Sequence, residues 1–210
     1  MLLLSDPSVA TVPVRECGEA VVDLHERGLL VDAHKWHDSA GAWAQLRIGV
    51  LNRLLEADAA LPAGVRLLLI EGYRPPALQQ RYFSEYRQRL QTAQPGWTDR
   101  QLDVEASKYV SPPAVAPHCC GAAIDLTLWA EGAELDLGTP VNASPLDSAN
   151  ACFTAADNIS SKARERRNLL IDALSYVKLV NYPSEWWHWS YGDRYWAVAT
   201  GTPAAVYGPL

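Results

Sequence analysis

Along the 210-residue chain the apolar positions change period several times, and each change marks an element. Between residues 43 and 58, Trp43, Leu46, Val50, Leu51, Leu54 and Leu55 recur at helical spacing with charges opposite, which predicts a helix. Residues 65–70, "VRLLLI", are an almost unbroken apolar run of the kind a buried strand carries. Gly72 ends that run, and Pro75-Pro76 suit the first turn of a helix striped by Leu78, Tyr82, Tyr86 and Leu90. Thr98 is a candidate N-cap for a further helix running to about Tyr109. The prolines of "SPPAVAP" (111–117) predict extended backbone. Residues 122–130, "AAIDLTLWA", alternate as a strand, and 131–138 predict a turn and a brief extended piece. A helical stripe returns from Ser161 to Lys178 through Ala163, Leu170, Ala173, Leu174 and Val177. "LVNYP", "WWHWSYGD" and "YWAVAT" predict closing strands separated by Pro/Gly turns.

That order of elements predicts an α+β fold, with helices packed against a mostly antiparallel sheet. No repeat, low-complexity stretch or Gly/Ser linker divides the chain, so residues 1–210 are expected to form a single domain. Its first sixty residues are expected to be helical and carry no motif.

Composition narrows the function. Apolar residues make up 49% and charged residues 20%, enough for a packed core and unlike a disordered chain. A net charge of −6 with no basic run argues against nucleic acid and anionic membranes as partners. The opening "MLLLSDPSVATVPV" lacks a charged n-region and breaks after its leucines, and no apolar run approaches the length of a bilayer span. A soluble, cytoplasmic protein is therefore expected. Cys17, Cys119, Cys120 and Cys152 include no CxxC pair and are expected to be reduced, mostly structural thiols.

Two stretches carry the candidate chemistry. In "PHCCGAAIDL", His118 stands seven residues before Asp125, and a strand over 122–128 would point Asp125 away from its apolar neighbours Ile124 and Leu126. A carboxylate so placed needs a positive partner, and a divalent cation would serve. In "SEWWHWSYGD", Glu185 and His188 form an ExxH arrangement among Trp186, Trp187 and Trp189. His118, Asp125 and His188 together offer the three N/O ligands of a catalytic Zn2+ with an open position, and Glu185 stands where it can take a proton from water. A thiolate from Cys119 or Cys120 in place of His118 is the alternative, and it would give a more closed, structural site. His34 and His37 of "HKWH" are a second spacing that could hold a metal, without a nearby carboxylate to support it.

"EGYRPP", "PHCCGAAIDL" and "NYPSEWWHWSYGD" together resemble the zinc D-alanyl-D-alanine dipeptidases, which include the vancomycin-resistance enzymes. The wider superfamily includes D,D-carboxypeptidases and the Hedgehog signalling domain, so the resemblance implies a Hedgehog/D,D-peptidase-like fold. It spans about Leu67 to Trp196. It implies zinc at His118, Asp125 and His188, Glu185 as catalytic base, and Arg74 as the group that meets the oxyanion. A structural pairing of Arg74 with Glu71 or Asp125 is the other reading of that residue. Two departures bear on substrate. Ala116 stands where the family usually has a serine that helps bind the substrate carboxylate, and Asn142 where it places an acid for the substrate ammonium. With Trp187 these are the candidate substrate contacts; Asp136 and Asp147 are nearby acids that could replace the missing one.

The function expected from this reading is zinc-dependent hydrolysis of D-alanyl-D-alanine or a closely related small dipeptide. The alternatives are a D,D-carboxypeptidase or other small-peptide hydrolase acting on cell-wall peptides, and a non-catalytic zinc-stabilised binding module.

Overall fold

The computed structural model describes residues 1–25, 27–32, 34 and 41–210. Its first helix, α1 (Pro7–Thr11), precedes three short strands, β1 (Val21–Asp23), β2 (Leu30–Val31) and β3 (Gln45–Arg47). Then come α2 (Ile48–Ala60), β4 (Val65–Glu71), α3 (Pro76–Ala93), α4 (Asp99–Ala106) and β5 (Ala123–Ala130). The chain closes with β6 (Ala133–Glu134), α5 (Ser161–Tyr176), β7 (Val180–Asn181), β8 (His188–Ser190) and α6 (Arg194–Thr200).

Strands β2, β4, β5, β8 and β7 lie side by side in that order, with β6 folded back onto β5. The β2–β4 pair is parallel and the remaining pairs of this sheet are antiparallel. The expected α+β architecture, one domain with a mostly antiparallel sheet, is what forms. Val50 and Leu54 of α2 and Leu170 and Leu174 of α5 join Leu67, Leu69, Leu126 and Leu128 of the sheet in one buried cluster. Each such side chain contributes roughly 1.5–3 kcal/mol on burial. Helices α3 and α4 make a hairpin with its own small core of Tyr86, Leu90, Leu102 and Ala106. Thr98 caps α4 as expected, in a reciprocal box with Gln101. Among the described residues no helix is long and apolar enough to cross a membrane.

Four local expectations are corrected. The helix predicted from residue 43 begins at Ile48, because Gln45–Arg47 pair instead with Val21–Asp23. The burial that made the stripe look helical is still there: Trp43, Leu46 and Val50 are all buried. The N-terminal sixty residues accordingly hold short strands as well as α1 and α2. The proline stretch folds into two 3-10 turns, Pro113–Val115 and Pro117–Cys120, since proline fits the first position of such a turn. Last, "YWAVAT" is α6 and not a strand. The Asp193 carboxylate accepts from the Tyr195 and Trp196 amides at its start, and Gly201, with φ of 70°, ends it.

The turn that leaves β4 is tight. The Gly72 amide donates to the Trp43 carbonyl at 2.6 Å, and a Cβ on Gly72 would lie 2.4 Å from the Gln45 carbonyl oxygen. Gly72→Ala is therefore expected to lower stability by about 1–3 kcal/mol, read as a lower urea midpoint at unchanged m.

Candidate metal centre

Sheet register places the first charged groups. Asp125 on β5 lies opposite His188 on β8 and, on its other side, opposite Glu71 on β4. Residues directly opposite in an antiparallel pair share a face, so this rung presents Glu71, Asp125 and His188 together. A register shift between Leu69 and Glu71 makes this possible. Without it Glu71 would follow Leu67 and Leu69 onto the apolar face; the extra residue turns it over to join Asp125.

His118 arrives from the 3-10 turn Pro117–Cys120, which ends at Gly121 in the left-handed region with φ of 62°. Its Nδ1 donates to the Gly72 carbonyl at 2.6 Å, leaving Nε2 with a lone pair. That lone pair faces its partners across short gaps. His118 Nε2 is 3.1 Å from His188 Nδ1 and 3.3 Å from Asp125 Oδ1, and His188 Nδ1 is 3.0 Å from Asp125 Oδ1.

These three atoms form a triangle whose edges match a tetrahedral zinc site. Ligand bonds of roughly 2.0–2.1 Å at tetrahedral angles separate neighbouring donors by about 3.3 Å. Without a cation, three electron-rich atoms would share at most one hydrogen between them, buried at 2–4% exposure. The donor set therefore fits zinc, and the hydrogen bond from His118 to Gly72 orients the ring as a ligand requires. The side-chain protonation follows the same geometry. Burial alone would raise the Asp125 carboxyl, but the two facing imidazoles outweigh it and hold it far below the usual range. Burial pulls His188 down, toward the neutral form that binds metals.

Glu185 sits on the turn before β8, with its Oε2 3.8 Å from His188 Nδ1. The Asn181 side-chain amide clamps this turn by donating to the Glu185 and His188 carbonyls, each at 3.0 Å. Burial, with the nearby Asp125 charge, pushes the Glu185 carboxyl well above its ordinary value, against the pull of Arg74. Arg74 itself is bound in two-pronged fashion by Glu71, Nε to Oε1 at 2.7 Å and Nη2 to Oε2 at 2.6 Å. Its Nη1 donates to Gln79 Oε1 at 2.9 Å, and Gln79 in turn donates to the Ser111 carbonyl at 2.7 Å. The expected structural pairing of Arg74 with Glu71 is thus present, and two of the five guanidinium N–H groups are left for a ligand.

Arg74, Glu185 and the three donors open onto one cavity of about 320 Å³. Its far wall is α3 and the loop after α4, and Asn142 closes one side. The loop bearing Asn142 is pinned from below by the buried Arg167 guanidinium, which donates to the carbonyls of Leu137, Ala151 and Phe153. From above, Tyr109 donates to the Asn142 carbonyl at 2.9 Å.

With this geometry in view, the comparisons decide the family. Residues 42–202 match the peptidase M15 family, described as D-Ala-D-Ala dipeptidase. The chain belongs to that family. A D-alanyl-D-alanine dipeptidase of Synechocystis sp. is 27% identical, over 89% of this chain and 87% of that protein. Among solved structures, VanYB in complex with D-alanine-D-alanine is 20% identical with a TM-score of 0.46, covering 81% of this chain and 84% of the other. A vancomycin-resistance D,D-pentapeptidase VanY variant in complex with Zn(II) is 18% identical, TM-score 0.38, covering 88% and 94%.

This M15 peptidase brings together His118, Asp125, His188, Glu185, Arg74 and Asn142, but not every expected contact. Trp187 is fully buried in the main core, edge to face with Trp186, and Ala116 is buried behind the His118 turn; neither lines the cavity. Asp147 is engaged by Arg89 at 2.6 Å, and Asp136 caps the Gly138 amide. The thiols of Cys119 and Cys120 are free and buried, Cys119 being pushed up to about 11 by burial, so neither is a ready ligand. His37 lies outside the described residues, and His34 is exposed. Tyr82, Glu85, Tyr86 and Arg89, spaced along one face of α3, line the cavity; the sequence pattern put Tyr82 and Tyr86 on a packing stripe and singled out neither Glu85 nor Arg89.

Two measurements probe the centre. Asp125→Asn is expected to weaken zinc binding at least ~100-fold while the fold persists, by equilibrium dialysis and circular dichroism. An unfolded glutamate ionises near 4.5, whereas the buried Glu185 resists, so the metal-free protein loses stability as pH rises from 4.5 toward the raised value. Glu185→Gln removes that loss. Its metal-free melting temperature should exceed the parent's at about pH 7 and converge with it near pH 4.

Proposed function

We propose that this M15 peptidase is a zinc-dependent dipeptidase that hydrolyses D-alanyl-D-alanine or a closely related small dipeptide. The observation that carries the reading is the convergence of His118, Asp125 and His188 on one triangle at the end of a cavity that also holds Glu185 and Arg74. Held by the three donors, zinc supplies Lewis acidity toward a carbonyl and makes a water molecule acidic near neutral pH.

The chain's own groups do the remainder. Glu185, whose burial raises its affinity for a proton, acts in its ionised form: its carboxylate takes the proton of the attacking water and delivers it to the leaving amine nitrogen. Arg74 turns its unengaged N–H groups toward the carbonyl oxygen as negative charge develops there. Because Glu71 and Gln79 already fix the guanidinium, little reorganisation accompanies that step. The buried tryptophans Trp186, Trp187 and Trp189 back the Glu185–His188 turn and keep it stiff.

One observation favours a second reading. The cavity adjoins, past Tyr86, another depression of about 310 Å³ bordered by Leu90, Trp97 and Lys108, space that a dipeptide leaves empty. A D,D-carboxypeptidase acting on longer peptides would use it.

Purified, zinc-loaded protein is expected to release free alanine from D-Ala-D-Ala faster than from an alanyl-capped longer peptide. The reverse preference would favour the second reading, and no release from either would defeat both. Glu185→Gln should retain zinc and lose about 10²–10⁴ in kcat, and Arg74→Ala about 10²–10³, measured by steady-state kinetics with metal content determined in parallel.

A further inference from the structure

The charged groups around the cavity fall into two kinds when each is traced to its nearest opposite charge. Asp125 faces two imidazoles at 3.0 and 3.3 Å. Arg74 is matched by Glu71 at 2.6 Å, and Arg89 by Asp147 at 2.6 Å, with Asp147 further held by the Ser144 hydroxyl. Glu185 is buried beside Asp125 and serves as the proton carrier in the reading above. Glu85 is different. Its one ion pair among the described residues is with Arg81 at 3.7 Å, one turn back along α3, and both side chains are more than 60% exposed. A pair of that length and exposure holds neither partner in place.

Glu85 also shares its cavity with three tyrosines. Tyr82, Tyr86 and Tyr109 line the same cavity, and the Tyr86 and Tyr109 rings lie 4.7 Å apart. A carboxylate beside tyrosine faces is a cation site, because ring quadrupole and carboxylate attract the same sign of charge. Tyr82 places this site relative to the chemistry: its ring lies 5.2 Å from the Arg74 guanidinium carbon, and Glu85 follows it by three residues on the helix. Glu85 thus stands about one helical turn, roughly 5 Å, along α3 from Tyr82, whose ring is next to Arg74. In a free dipeptide the ammonium nitrogen is two bonds from the scissile carbonyl carbon. A substrate whose carbonyl meets Arg74 and whose amino end is turned toward α3 brings its ammonium to the Glu85 side of the cavity. Asn142, on the neighbouring wall, is uncharged and cannot neutralise it.

We propose that Glu85 is the specificity-determining carboxylate that recognises the substrate's free ammonium group, with the Tyr86 and Tyr109 faces beside it; this rests on the dipeptidase reading. The residue acts in binding and not in bond making, so its signature is a KM effect confined to substrates that carry a free amine.

The test compares D-Ala-D-Ala with N-acetyl-D-Ala-D-Ala on zinc-loaded parent, Glu85→Gln and Glu85→Lys proteins. Position 85 is exposed, so all three should fold. Glu85→Gln is expected to raise KM for the free dipeptide roughly fivefold with kcat within about twofold, and to leave the acetylated substrate unchanged. Glu85→Lys should raise that KM further, and the KM difference between parent and Glu85→Gln should shrink in high salt. Equal effects on both substrates, no effect on either, or a parent preference for the acetylated dipeptide would overturn the proposal while leaving a metallopeptidase in place. Should the parent cleave neither compound, the dipeptidase reading fails, and equilibrium binding of the same two ligands then decides for Glu85. Weaker binding of the free amine alone in Glu85→Gln upholds the assignment, and equal or absent binding overturns it.

Discussion

Asp125 is a carboxylate in the middle strand of a sheet, 2% exposed, and everything around it is arranged to make that tolerable. An isolated ionised carboxylate in such a place would cost several kcal/mol in lost hydration. The compensation is local and geometric: two imidazoles from distant parts of the chain, one brought by strand pairing and one by a glycine-capped turn, meet the same oxygen. Because imidazole and carboxylate both present lone pairs, the cluster is complete only with a cation among them. Burial, which makes the acid costly in the empty protein, is what makes a cation bind tightly there.

The sequence made the candidate donors legible because histidine, aspartate and glutamate at these spacings stand out against apolar strands. Asp125 between Ile124 and Leu126 announces a face change, and the ExxH of 185–188 sets two chemically capable groups three residues apart. Less visible was how they are presented. The register shift at the end of β4, which brings Glu71 onto the Asp125 face, leaves no mark in "LIEGYRPP", since a bulge alters pairing and not composition. Tyr82 and Tyr86 looked like part of a packing stripe because a helix that walls a cavity and one that covers a core share the same period, and Glu85 and Arg89 beside them carried no signal of their own. Trp187 was misleading for the opposite reason: next to His188 along the chain, it points into the core because neighbouring side chains near a strand diverge. The helix α6 was legible in principle, through Asp193 and Gly201 at its ends, yet its aromatic and β-branched content argued for a strand.

The pairing of the arginines shows how positive charge is rationed in this cavity. Arg89 is spent on the loop that follows Asn142, through Asp147, and Arg167 on the carbonyls beneath that loop. Both serve to hold one wall in place. That loop has left-handed residues at Asn142, Ala149 and Asn150, a backbone that non-glycine residues adopt only when their surroundings fix it. Tertiary hydrogen bonds from Arg89, Arg167 and Tyr109 supply that constraint, so this side of the cavity is shaped before any substrate arrives.

Arg74 is the point at which stability and chemistry would pull apart. A guanidinium facing a buried cation is repelled by it, and alone it would swing out to solvent. Glu71 prevents this by gripping two of its nitrogens, and Gln79, with no exposed surface, takes the third through a bond anchored on Ser111. The grip serves only if it is neutralising without being complete. A carboxylate matched to Nε and Nη2 leaves the outer N–H bonds directed away from Glu71, where, in the role proposed for Arg74, a developing negative charge would find them already oriented. Moving Glu71 back by one residue in register would put its side chain on the Leu67–Leu69 face and leave Arg74 with Gln79 alone. The bulge in β4 is thus a backbone irregularity whose consequence is electrostatic: it sets the orientation of a cation next to a metal site.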